Sequence, residues 1–274
     1  MKLKYHDSGE CREVTPIIFL HAFPLNQRMW APQVAEWRAT HRVITLDWPG
    51  FGESAAEGFG AVGDKAAGID DYAALVIALL DHLKVEKAHL CGLSMGGYVA
   101  LALYRIAPER VASLILCDTR ASADSPETRN GRYETISLIA ENGREGLETL
   151  FANMLPRLLG ETTLNSNPSL VAQVREMMAA SSPEGIRQAL TALAERRDAS
   201  DLLPALGETG EGPLIIVGRE DRITPASEMS LLAEAIKGSH FAIIERAGHL
   251  PNLEQPDQFN AVLRKWLNRP LEAN

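Results

Sequence analysis

Gly92-Leu93-Ser94-Met95-Gly96-Gly97 decides how this chain is read, because it sets a serine between glycines where a strand gives way to a helix. Lys87-Ala88-His89-Leu90-Cys91, just before it, is a short run suited to a buried strand; Tyr98 to Ile106, just after, suits a helix that ends before Pro108. A strand that passes straight into a helix must bend sharply, and the bend lifts the serine hydroxyl clear of the main chain. Glycine at 92 and 96 removes side chains that would collide where the two elements cross. In this setting the spacing G-x-S-x-G is that of a nucleophile elbow. Taken alone, the stretch also fits a glycine-rich turn with an incidental serine.

Outward from the elbow, apolar runs of strand length alternate with helical patterns. Ile17–Leu20, Arg42–Asp47 and Ala112–Cys117 read as strands, Met29–Trp37 as a helix. Residues 69–83 predict an amphipathic helix, with Asp70 or Asp71 as its cap and Tyr72, Leu75, Val76, Leu79, Leu80 and Leu83 as its buried stripe. After the insertion described next, Pro213–Gly218 and Phe241–Ile244 are strands, a helix opens at Thr224-Pro225, and Pro256–Leu267 closes the chain. Such alternation predicts an α/β fold: a mostly parallel central sheet with helices on both faces.

Between about 121 and 205 no strand pattern appears. Ser125-Pro126, Asn167-Pro168 and Ser182-Pro183 each couple a good N-cap to proline at the first helical position, where its missing N–H does no harm. Gly143 and Gly160 punctuate the segment. The expected division is therefore a core over 1–120, a helical cap over 121–205 and the rest of the core over 206–274. The cap's apolar surface includes Met154, Leu155, Met177 and Met178, either as ordinary packing or as the lining of an adaptable pocket.

A serine hydroxyl is a poor nucleophile near neutral pH, so it needs a base, and the base needs an orienting acid. His249 lies in Gly248-His249-Leu250-Pro251, directly after the last strand, and Asp221 in Gly218-Arg219-Glu220-Asp221, directly after the strand before it. Both sit at carboxyl ends of strands, the edge where open α/β sheets collect their working groups, as does Ser94. Asp118, after the Ala112–Cys117 strand, is the rival acid, with turn capping or a pair with Arg120 as its other expected role. An acyl-transfer intermediate also needs preorganised N–H donors. Met95, the residue after the serine, and Phe23, in His21-Ala22-Phe23-Pro24 after the first core strand, are the expected donors. His21 is expected to brace that loop. Glu220 is expected to point away from the acid beside it.

Composition sets outer limits. The chain has 274 residues, 46% hydrophobic and 23% charged, which suits one large globular domain. A net charge of −9 argues against nucleic acid or an anionic membrane as partner. Cys11, Cys91 and Cys117 are far apart, which reads as reduced packing residues, not a disulfide framework or a zinc site. The first residues lack an apolar core of signal-peptide length and no segment is long enough to span a bilayer, so a cytoplasmic location is expected. No phosphate-binding loop or metal-ligand cluster stands out, so neither cofactor nor metal is expected. Oligomeric state is not encoded in any visible pattern.

His21–Pro24, Asp47-Trp48-Pro49-Gly50-Phe51-Gly52-Glu53-Ser54, the Gly92–Gly97 elbow, Gly218–Asp221 and Gly248-His249 together resemble the α/β-hydrolase superfamily over almost the full chain. The order Ser, Asp, His agrees with that likeness. The resemblance is closest to the branch of small esterases, 3-oxoadipate enol-lactone hydrolases and haloperoxidase-like hydrolases. Ala22 departs from it, since the family usually has glycine there, and its methyl group bears on the Phe23 donor. The likeness implies a serine hydrolase acting on a small-molecule ester, lactone or thioester without a cofactor. A carbon–carbon bond hydrolase, a cofactor-free perhydrolase and a ligand-sensing member are the alternatives. Candidate pocket residues are Trp48, Arg120, Met154 and Leu155; of the arginines, Arg120, Arg129, Arg132 or Arg157 would meet a substrate carboxylate if the enol-lactonase likeness is literal.

Overall fold

The structure is a computed structural model describing residues 3–9, 11, 13–59, 67–208 and 212–268. The remaining residues of the two expected core parts, including 209–211 and 269–274, lie outside the described set. In chain order the strands are β1 (Tyr5–Asp7), β2 (Ile17–Leu20), β3 (Val43–Leu46), β4 (Ala88–Leu93), β5 (Val111–Cys117), β6 (Leu214–Gly218) and β7 (His240–Ile244). They form one sheet in the order β1-β3-β2-β4-β5-β6-β7. Only β1 is antiparallel to its neighbour; every other pair is parallel.

Parallel pairing needs a crossover between partners, and these crossovers are the helices α1 (Ala31–Trp37), α2 (Ile69–His82), α3 (Met95–Ile106) and α9 (Ala226–Glu234). β2, β3 and β6 are buried along their whole length, which requires cover on both faces. On one side α2 packs against α3, and α3 against β2, β4 and β5. The closing helix α11 (Pro256–Leu267) packs against α1 and β7. There the Phe19 ring of β2 lies 4.9 Å from Trp30, which lies 6.1 Å from Phe259 of α11.

Between β5 and β6 come α4 (Pro126–Leu158), α5 (Glu161–Ser166), α6 (Pro168–Ala179), α7 (Pro183–Ala194) and the short α8 (Leu203–Leu206). Ser125, Asn167 and Ser182 accept hydrogen bonds from the N–H groups of Thr128, Leu170 and Gly185 at 3.2, 3.1 and 3.0 Å, each with proline following. Gly143 breaks α4 with φ 55°, ψ −119°, a conformation open to glycine at little cost. Residues 121–205 contain no strand. The inserted helices seat on the Asp47–Ser54 turn, where the Ser182 N–H donates to the Gly50 carbonyl at 2.8 Å and Gly50 and Gly185 touch backbone to backbone.

Three details differ from the sequence reading. β1 was not expected; at three residues it is too short to show a pattern. The cap of α2 is Gly68, and Asp71 reaches back to accept its N–H at 2.7 Å, so Asp71 caps from within the first turn. The helix expected over 29–37 starts as a 3₁₀ turn, Gln27–Trp30, before α1.

Candidate active site

Ser94 is the one residue between β4 and α3, and its backbone takes φ 54°, ψ −112°. That region is costly for a residue with a Cβ, so the surroundings must hold it. They do so through four hydrogen bonds: Ser94 N–H to the Cys117 carbonyl at 2.9 Å, and Thr119 Oγ1, Gly97 N–H and Tyr98 N–H to the Ser94 carbonyl at 2.8, 2.9 and 3.2 Å. A side chain on Gly92 would run into the Gly96 carbonyl, and one on Gly96 into the Leu20 carbonyl. Met95 opens α3, so its N–H has no acceptor one turn earlier in the helix.

Asp221 and His249 meet: His249 Nδ1 and Asp221 Oδ2 are 2.8 Å apart, and both side chains are buried. The Asp221 carboxylate accepts three more hydrogen bonds. Its Oδ1 accepts from Ile223 N–H at 2.7 Å and Thr224 N–H at 3.2 Å, and its Oδ2 from Thr224 Oγ1 at 2.5 Å. Burial by itself pushes this carboxyl up, but the charge and hydrogen bond of His249, with those of Thr224 and Ile223, carry it well below the ordinary carboxylate range. The imidazole's hydrogen bonds to protein groups are made at Nδ1; among the described residues none joins Nε2 to Ser94 Oγ.

Asp118 neither caps a turn nor pairs with Arg120, as the sequence reading had it. It is fully buried with φ 43°, and its Oδ1 accepts the Gly218 N–H at 2.9 Å. Arg120 turns instead to Glu228, at 3.2 Å, and the Ile223 carbonyl, at 2.6 Å. Ligand atoms of Asp118, Asp221 and His249 lie within 4.8 Å of one another, close enough for the three to share an ion. The bond between Asp221 and His249 already engages two of the three.

His21 braces its loop as expected. Its Nε2 accepts the Trp48 N–H at 3.0 Å and its Nδ1 donates to the Ala22 carbonyl at 3.0 Å, the pattern of a neutral ring. Complete burial lowers its pKa to about 3. Phe23 follows, buried, its ring 6.1 Å from that of Phe51.

A cavity of about 460 Å³ is lined by Phe23, Tyr98, Arg120, Met154, Arg157 and Ile223, among others. Of the expected pocket residues, Arg120 and Met154 are there. Trp48 is not: it is fully buried, bonded through Nε1 to the His21 carbonyl at 3.1 Å and packed on Tyr72. Leu155 packs against the core, and Met177 and Met178 are wholly buried, so the adaptable lining is Met154 alone among these. Arg132 reaches the cavity with its charge met by Asp124 at 2.5 Å, and Asp124 also holds the buried Arg196, whose guanidinium lies 4.3 Å from the Tyr98 ring centre. Arg129 is paired with Glu195 outside the cavity. Arg157 lines the cavity and, among the described residues, has no ion pair or side-chain hydrogen bond. A larger hollow, about 760 Å³, lies over Tyr5, Thr45 and Asp47 and includes none of the expected site residues.

Two residues at the site were missed from sequence. Thr224 read only as a helix opening, yet it donates to the acid. Glu254, on α10 (Pro251–Glu254), accepts N–H bonds from Gly248 at 2.8 Å and Leu250 at 3.3 Å, either side of His249, and from Gly160 at 2.7 Å. Glu220 points away from Asp221, as expected, and accepts from Thr162 N–H at 2.8 Å. Together with a His249 N–H bond to the Leu158 carbonyl at 3.1 Å, these tie the α4–α5 junction to both loops. Nothing in the local sequence around Glu254 sets it apart from an ordinary helix carboxylate.

A mostly parallel sheet with this crossover order, a strained serine between strand and helix, and a buried Asp–His pair after the last two strands define an α/β-hydrolase. Residues 17–262 match the alpha/beta hydrolase family, and the chain belongs to it. It is 33% identical over 93% of its length to a dihydrolipoyllysine-residue acetyltransferase component of the acetoin cleaving system from Pseudomonas putida, spanning 64% of that longer protein. It is 30% identical to 3-oxoadipate enol-lactonase 2 from Acinetobacter baylyi, with 92% of this chain and 88% of that one covered. Among solved structures, a thermophilic esterase from Thermogutta terrifontis, with malate bound, superposes with a TM-score of 0.87 at 39% identity, covering 97% of this chain and 92% of the other. Among the described residues, no helix is long and apolar enough to cross a membrane.

Proposed function

We propose that this protein is a serine hydrolase that cleaves a carboxylic ester or lactone of small to medium size through an acyl-enzyme on Ser94. The observation that carries the proposal is the buried 2.8 Å contact between His249 Nδ1 and Asp221 at the sheet edge that also presents Ser94. With Nδ1–H donating to Asp221, the lone pair is on Nε2, the nitrogen a base needs. Ser94 Oγ attacks the substrate carbonyl as Nε2 takes its proton; contacts of this kind tighten when substrate binds. The N–H groups of Met95 and Phe23 receive the oxyanion. His249 then protonates the leaving alcohol, and a water activated by the same nitrogen releases the acid.

The cavity narrows the substrate. Phe23, Met154 and Leu150 offer apolar surface, while the charges of Arg120 and Arg132 are met by Glu228 and Asp124. Arg157 is left to meet a carboxylate carried by the substrate. The enol-lactonase relative and the malate held by the Thermogutta esterase agree with such a charge. The test is Ser94→Ala, which abolishes turnover of a short-chain p-nitrophenyl ester with the circular dichroism spectrum intact, while the wild type takes up one fluorophosphonate on Ser94. Retained turnover in the variant overturns the proposal.

A further inference from the structure

The acid of the proposed site has a second carboxyl group at its back. Asp118 is fully buried, one of its oxygens accepts the Gly218 N–H, and the other, Oδ2, is buried with no hydrogen-bond partner. Its donor atoms share a 4.8 Å cluster with those of Asp221 and His249. Two carboxylates so close and so dry cannot both be ionised, so one holds a proton. The hydrogen bonds decide which. Asp221 is met by His249, by Thr224 twice and by Ile223; Asp118 is met by one N–H. The negative charge therefore belongs on Asp221.

We infer that Asp118 is a neutral carboxylic acid whose Oδ2–H is directed at Asp221, making it a positioning residue that acts on His249 through the acid. The inference rests on the serine-triad reading for its kinetic consequences, though not for the protonation itself. Among the described residues, the titratable groups beside Asp118 are Asp221 from the loop after β6, His249 from the loop after β7, and Cys117, the last residue of β5. Burial first, then the charge of Asp221, hold its pKa well above the ordinary carboxylate value, against the opposing Gly218 hydrogen bond. A proton offered to Asp221 draws electron density from the oxygen that faces His249. That weakens the pull on the imidazolium and keeps the base neutral to lower pH. It also accounts for a carboxyl group left with an orphaned oxygen among apolar strand ends, where an anion would be costly.

The experiment pairs spectroscopy with a pH profile. An infrared difference spectrum of wild type minus Asp118→Asn near neutral pH shows the carbonyl stretch of a protonated carboxylic acid. Asp118→Asn keeps an N–H donor toward Asp221 and changes no charge, so kcat/KM falls about threefold or less and the acid limb of its pH profile stays in place. Asp118→Ala removes the donor, and the acid limb moves to higher pH. If the band is absent, or if Asp118→Asn moves the acid limb to lower pH as loss of an anion would, the inference is overturned. Should Ser94→Ala remain active, the triad reading fails while the infrared band still judges Asp118.

Discussion

Glu254→Gln is the change most directly legible in the geometry. The two oxygens of Glu254 take three main-chain N–H groups, those of Gly248 and Leu250 on one side and Gly160 on the other. A glutamine has the same shape but only one accepting oxygen. Facing that oxygen toward Gly248 and Leu250 sets its NH₂ against the Gly160 N–H; the opposite orientation orphans two donors. The smaller loss leaves one buried N–H without an acceptor, which costs about 1–3 kcal/mol. For a chain of this size that lowers Tm by about 2–12 °C. Because Gly160 belongs to the junction whose Leu158 carbonyl accepts the His249 N–H, kcat falls with the proton-transfer step while KM changes little. Thermal unfolding and steady-state kinetics on one ester provide both readings. A variant within about 1 °C of wild type refutes the assigned hydrogen bonds; one with a lowered Tm and unchanged kcat shows that the histidine loop is held by other means.

Three other outcomes follow from the site. Asp221→Asn leaves the imidazole without an anion at Nδ1 and lowers kcat by about 10³–10⁴-fold, far more than Asp118→Asn; the opposite ranking in a direct comparison reassigns the acid. Arg157→Ala lowers kcat/KM about tenfold for a half-ester bearing a free carboxylate and leaves the matching neutral ester unaffected, so equal effects on both would remove the arginine from recognition. The pH dependence of stability carries the mark of His21. Its pKa is lowered from 6.5 to about 3 by burial, so the unfolded chain takes up a proton that the fold refuses. Its stabilisation is present above pH 6.5 and is lost as pH falls toward 3; a neutral His21→Gln variant shows a shallower decline of Tm across that window, and an unchanged slope counts against the assignment.

Much of the architecture was legible because it rests on local rules. The three Ser/Asn-Pro pairs predicted helix starts since both capping and the proline effect depend on adjacent residues. The elbow was legible because the glycines at 92 and 96 leave room for the close crossing of β4, α3 and β2. Asp221 and His249 were found through their places after consecutive strands, a regularity of the sheet. What escaped was set by contacts distant in sequence. Trp48 looked like a pocket aromatic, but His21 takes both its main-chain and, through the carbonyl, its indole N–H. Asp118 read as a rival acid, a turn cap or a partner of Arg120, whereas the Gly218 N–H, a hundred positions away, meets it inside the fold. Glu254 joins the His249 loop to the α4–α5 junction, a role invisible until the chain closes on itself.

The bonds from the α4–α5 junction to the two loops bear on any attempt to shorten this protein. Excising residues 121–205 would remove no member of the proposed triad, and the sheet's strand order would survive on paper. Glu220 and Glu254 would then face solvent or one another without the N–H groups of Thr162 and Gly160, and His249 would lose the Leu158 carbonyl that fixes its backbone. A pared-down scaffold of this kind would fold, if at all, around a wandering imidazole. On the proposed reading the insert is thus a structural prop of the His249 loop, and swapping inserts between relatives should keep Leu158–Thr162 with the host.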